Sequence, residues 1–139
     1  STYISSSQEI SEIAKQLIYE VDRRLEKDLY SDWLIMMPTI KAIVDQGLTE
    51  KDLRYLFDNG PRVGMRFVIG SEYAYLGNNI NEVPKYLKGN AQWFMIGMRL
   101  MDQMFLDKPY NNREARLASD EIYLHDRKQA IKLKITKNG

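Results

Sequence analysis

The fold class predicted by this sequence is all-α: a compact bundle of about five to six helices with an extended C-terminal arm of strand-like spacing. Three observations carry that expectation. A long stretch after the N-terminal serines places apolar residues at three- and four-residue intervals, and a Met-rich segment near residue 100 repeats every third position. Only the last residues switch to a two-residue alternation.

Ser6 and Glu9 have the Ser-x-x-Glu spacing of a capping box, so a helix is expected from near Ser7. Ile10, Ile13, Ala14, Leu17, Ile18, Val21, Leu25 and Leu29 form its apolar face over about six turns. Ser31 or Asp32 can cap a second helix carrying Trp33, Leu34, Met36, Met37, Ile40, Ile43 and Val44, kinked or broken at Pro38. Gly47 suits its end, and Thr49 with Asp52 offers a capping pattern for a short third helix through about Phe57.

Asp58, Asn59, Gly60 and Pro61 signal a turn, and Pro61 suits the first position of a helix running toward Leu76. Within it, Arg66 to Ile69 also reads as a short strand between glycines. Helix is preferred because Val63, Phe67, Gly70 and Ala74 continue one face. Gly77 to Asn79 mark a loop, and residues 82–87 a helical turn around Pro84. Further helices are expected from Asn90 to Leu106 and from Asn112 to about Asp126. Past that point Ile131, Leu133 and Ile135 alternate with Lys132, Lys134 and Thr136. The organisation expected is a helical domain over residues 1–126 and a basic arm over 127–139.

A hydrophobic share of 44% with 28% charge belongs to a folded chain rather than a disordered one. The lack of cysteine removes disulfides and thiolate zinc sites. No signal-type apolar region follows Ser1 to Ser7, so a cytoplasmic address is expected. The longest uncharged apolar runs, 33–37 and 93–98, fall far short of the roughly 20 residues needed to span a bilayer, so no membrane partner is expected.

No phosphate-binding Gly-x-x-x-x-Gly-Lys-Ser/Thr loop, dinucleotide-type Gly-x-Gly-x-x-Gly or His-Glu-x-x-His pair occurs, and no cofactor is expected. His125 and Glu121 could share one face of a helix, yet a zinc site needs further ligands that the sequence does not offer. Ser119, His125 and Asp126 supply the residue types of a triad without its geometry. Carboxylate pairs such as Asp120 with Glu121 read as solvated helix faces. No catalytic, metal or cofactor-binding residue is therefore assigned, and binding is expected rather than catalysis.

Two leads point to binding. Met95, Met98, Met101 and Met104 beside Trp93 would form a stripe on the Asn90–Leu106 helix, mostly core, with an excess face left for a subunit. The Ile131, Leu133 and Ile135 edge could add to a partner's sheet. These eight residues are the expected contacts of an assembly or adaptor protein that meets another protein or copies of itself.

The alternative is a nucleic-acid-binding regulator. Thr49 to Tyr75 has the order of a helix-turn-helix, with Arg62 and Arg66 near the start of its second helix. The arm adds Arg127, Lys128, Lys132, Lys134 and Lys137 with no acid, whereas the preceding 126 residues hold 15 basic and 19 acidic side chains.

Overall fold

A computed structural model describes residues 7–108 and 113–135. The chain is mixed α/β, which corrects the all-α expectation. Among the described residues there are five helices, two short 3-10 turns, a two-stranded parallel sheet and a three-stranded antiparallel sheet. The chain divides into two compact units, Ser1–Val83 and Pro84–Gly139.

The first unit opens with α1 (Ser7–Lys27), as its periodicity predicts; the Ser6–Glu9 capping pair lies outside the described residues and side chains. The expected second helix is instead strand β1 (Trp33–Met37) followed by α2 (Ile40–Asp45), so Pro38 ends a strand rather than kinking a helix. A five-residue apolar run fits either period, and pairing with β2 (Met65–Ile69) decides for strand. Helix α3 (Glu50–Asn59) has the predicted capping box, with Thr49 and Asp52 bonded reciprocally. After the 3-10 turn Gly60–Val63, residues 65–69 adopt the strand reading that the helical preference had set aside. Helix α4 (Tyr73–Leu76) closes this part of the chain.

β1 and β2 are parallel, with Trp33 opposite Met65 and Met37 opposite Ile69, and the crossover between them holds α2 and α3. One sheet face packs Ile35, Met65 and Phe67 against Val21, Leu56 and Val63, with the Phe57 and Phe67 rings 5.1 Å apart. The other face carries Leu34 and Met36, both well exposed. The close approach of the chain requires glycine at two places. A Cβ on Gly64, whose φ is +91°, would lie 2.3 Å from the Ser31 carbonyl oxygen, and one on Gly70 2.2 Å from that of Pro38.

Arg24 joins these pieces. Its side chain is 3% exposed; Nη1 donates to the carbonyls of Ser31 (2.9 Å) and Val63 (3.1 Å), and Nε donates to Glu20 (2.8 Å). The guanidinium also lies 4.1 Å from the Trp33 ring centre. It thus ties the end of α1 to the entrances of both strands. Hydrogen bonds from Arg23 and Arg24 lower the Glu20 carboxyl to about 2, so Glu20 stays ionised beside them.

The second unit follows from α5 (Glu82–Asn90), whose first two residues belong to the first unit. The Asn90–Leu106 segment is not a helix: it holds β3 (Phe94–Ile96) and the 3-10 turn Leu100–Asp102. Nor do the described residues of the expected Asn112–Asp126 helix, from 113 on, form one, because Glu121–His125 is β4. The alternating segment at the end is β5 (Ala130–Lys134), paired antiparallel with β4. Its core is Ile96, Leu100, Leu106 and Tyr123, with Phe94, Met98, Phe105 and Leu117 against it.

Replacing Arg24 with alanine leaves the Ser31 and Val63 carbonyls without this donor and opens a gap beside Trp33. A loss of about 2–4 kcal/mol in unfolding free energy is expected, measured by urea titration. Arg24→Lys should recover only part of it, since an ammonium lacks the planar fork.

Candidate protein-docking face

The antiparallel sheet has two chemically different faces. Register places Phe94 opposite His125 and Ile96 opposite Tyr123 on the inner face, toward the core. The outer face carries Met95 opposite Leu124, Leu124 opposite Ile131, and Ile122 opposite Leu133. Every ladder position on that face is apolar. Met95 is 64% exposed, Ile131 53% and Leu133 40%, and Trp93 and Ile135 extend the alternation beyond the ladder with 59% and 49% exposure.

The inner side explains why this sheet holds its shape. Gln103, almost fully buried, donates to the carbonyls of Leu100 (3.1 Å) and Leu106 (2.9 Å) and accepts from the amides of Phe105 (3.1 Å) and Leu106 (2.7 Å). Glu114 accepts from the Leu100 and Met101 amides (2.9 and 3.1 Å) and the Tyr123 hydroxyl (3.0 Å). Burial pushes the Glu114 carboxyl up, but these hydrogen bonds and the Arg99 charge outweigh it and hold the group below its usual range. The β4–β5 turn is held by Asp126, whose carboxylate accepts from the Lys128 and Gln129 amides, while Arg127 takes a left-handed φ of 81°.

The eight expected contact residues are divided by this architecture. Trp93, Met95, Ile131, Leu133 and Ile135 belong to the outer face or its continuation. Met98 joins the core cluster, Met101 is half-buried in the 3-10 turn, and Met104 lies exposed in the loop after it. The three-residue methionine stripe therefore does not exist as a surface. Ile122 and Leu124 share this face without having been expected there, although the alternation Glu121-Ile122-Tyr123-Leu124-His125 matches that of 130–134 and signals a hairpin.

The helix-turn-helix alternative lacks its recognition helix, since 65–69 is strand. Arg62 bonds Asn59 and Arg66 pairs with Asp32. In the arm, Arg127 donates to the carbonyls of Ala91 (2.6 Å) and Lys88 (2.5 Å) and lies over Phe94. Lys132 sits above the Tyr123 ring, Lys134 pairs with Asp120, and Lys128 is exposed. Lys137 lies outside the described residues. His125 is fully buried, with Nε2 2.8 Å from the Asp107 carbonyl and Nδ1 accepting from the Arg127 amide, which places the proton on Nε2. On a strand, Glu121 and His125 stand ~13 Å apart along the backbone, too far to share a metal.

Two solved structures resemble this chain across 98% of its length. One is the cytoplasmic domain of EssC, with TM-score 0.70 and 11% identity; the other is EssC (ATPases 2 and 3) from Geobacillus thermodenitrificans, with TM-score 0.73 and 12% identity. At that identity the likeness is one of fold. The chain spans 29% and 27% of those two chains. No protein-family model matches the sequence, and no curated protein does. No helix among the described residues is long and apolar enough to cross a membrane.

Because the folded Glu114 carboxyl titrates below its usual 4.5, its contribution to stability is complete above that pH and is lost as pH falls through the folded value. Glu114→Gln should lower the melting temperature at neutral pH and flatten the acid limb of the stability profile below about pH 4.5. Thermal melts from pH 7 to 3 check both.

Proposed function

We propose that the chain is a protein-docking assembly module of EssC-like architecture that works by binding and associates with itself. The observation that supports this most directly is the outer face of the antiparallel sheet, where Met95, Ile122, Leu124, Ile131 and Leu133 form a surface without a charged ladder position. An antiparallel sheet that faces water on one side normally alternates apolar-in and polar-out. Here the outer face is apolar at every ladder position, so it gains free energy when another protein covers it.

The two EssC structures are of a cytoplasmic domain and of ATPases 2 and 3, and a cytoplasmic setting is part of this proposal. Hydrolysis is not part of it. The 139 residues contain no phosphate-binding Gly-x-x-x-x-Gly-Lys-Ser/Thr loop. What this segment offers is surface rather than a phosphate-handling site.

Sedimentation velocity over a concentration series tests the reading. Reversible self-association with a Kd on the order of 10–100 µM is expected, tolerant of salt, and weakened at least about tenfold by Met95→Lys with Ile131→Lys. Both side chains point outward, so the double variant should keep its fold by circular dichroism. A chain that stays monomeric to about 1 mM, or whose association ignores the double variant, would remove the basis of the proposal.

A further inference from the structure

The parallel sheet of the first unit has an open edge, separate from the antiparallel sheet. Trp33 donates to the Gly64 carbonyl (2.9 Å) and Gly70 to the Met37 carbonyl (2.7 Å), and these bonds bracket the β1–β2 ladder. In a parallel pair only alternate residues of a strand bond a given neighbour. Trp33, Ile35 and Met37 therefore turn their amides and carbonyls to β2, while Leu34 and Met36 turn theirs the other way. Among the described residues β2 is the one element that runs alongside β1, and Leu34 and Met36 are 65% and 67% exposed. On the opposite edge the outward-turned residues of β2, Met65, Phe67 and Ile69, are buried or half-buried.

β1 also lacks the features that keep exposed edges apart, which are charge, an internal proline or a bulge. β5, an edge of the antiparallel sheet, carries Lys132 and Lys134 at alternate positions, so a two-fold self-pairing there would set like charges against each other. Trp33–Met37 holds no charged residue, and Pro38 stands just past its end. A two-stranded parallel sheet with an exposed face is, besides, short of the strands and cover that such sheets normally have.

We propose that β1 pairs antiparallel with β1 of a second copy about a two-fold axis at Ile35, joining two small sheets into one continuous sheet. The strand is self-complementary in that register. Leu34 comes opposite Met36 of the second copy, and each both donates to and accepts from its counterpart through the groups that β2 leaves free. The same two side chains meet on the outer face, so the most exposed apolar groups of the sheet are covered together. No charge has to be buried. This contact does not rest on the outer face of the antiparallel sheet.

The test is NMR of the 15N-labelled chain carrying Met95→Lys and Ile131→Lys, which removes the other proposed contact, so the two readings fail separately. Between about 0.05 and 2 mM the amide protons of Leu34 and Met36 should move downfield with a Kd on the order of 1 mM, while those of Trp33, Ile35 and Met37, already turned to β2, move less. Adding Leu34→Lys with Met36→Lys places like charges opposite each other and should weaken association roughly tenfold. Leu34→Lys with Met36→Glu places opposite charges there and should restore it to within about threefold of the parent. Met36→Pro removes an outward N–H without touching the β1–β2 ladder and should abolish pairing, with circular dichroism checking the fold of each variant. No concentration dependence up to about 2 mM would overturn the proposal in favour of a strand from a different protein. Even shifts along 33–37, or a lysine–glutamate variant as weak as the double lysine, would overturn it too, because neither fits antiparallel pairing centred on Ile35.

Discussion

Irregular backbone inside a folded chain must have its amides and carbonyls bonded, and the architecture of this protein depends on how that demand is met. Among the described residues the buried polar side chains are Arg24, Gln103 and His125, and all serve it. Arg24 bonds the carbonyls where β1 and β2 begin, Gln103 closes the 100–106 loop on itself, and His125 links the Asp107 carbonyl to the Arg127 amide. Each replaces bonds that a helix or sheet ladder would otherwise supply.

The sheets then follow from what these anchors hold in place. In the first unit the parallel pair is covered on one face by α1, α3 and the 3-10 turn, and its other face leaves Leu34 and Met36 in solvent. In the second, the loop organised by Gln103 and Glu114 fills the inner face of the antiparallel sheet and leaves Met95, Ile131 and Leu133 of the outer one exposed. Exposed apolar sheet faces in both units are the physical basis for reading the chain as one that works by contact with protein. The basic residues of the C-terminal segment support that architecture more than they offer phosphate sites. Arg127 closes the carbonyls at the end of α5, and Lys134 and Lys132 face Asp120 and Tyr123.

Local signals identified α1, α3 with its Thr49–Asp52 capping box, the helical turn around Pro84 and the alternation that became β5. Each rests on a pattern carried by neighbouring residues: a 3.6-residue stripe, a reciprocal cap or a two-residue period. Ile131, Leu133 and Ile135 were legible in the same way, by their alternation, whereas Trp93 and Met95 were named for a methionine spacing read as a helix. The reason assigned to Met95 was the wrong one, because the three-residue spacing of the methionines suggested a helix whereas Phe94 and Ile96 face inward from a strand.

The sequence by itself determined where apolar side chains recur and which segments could end or cap an element. Tertiary structure decided whether the short apolar runs at 33–37, 65–69 and 94–96 were helix or strand, because a run of three to five residues satisfies both periods and only a partner strand selects one. It also decided the role of Arg24, which lies off the apolar stripe of α1 and is buried because two distant carbonyls, at Ser31 and Val63, converge on its guanidinium.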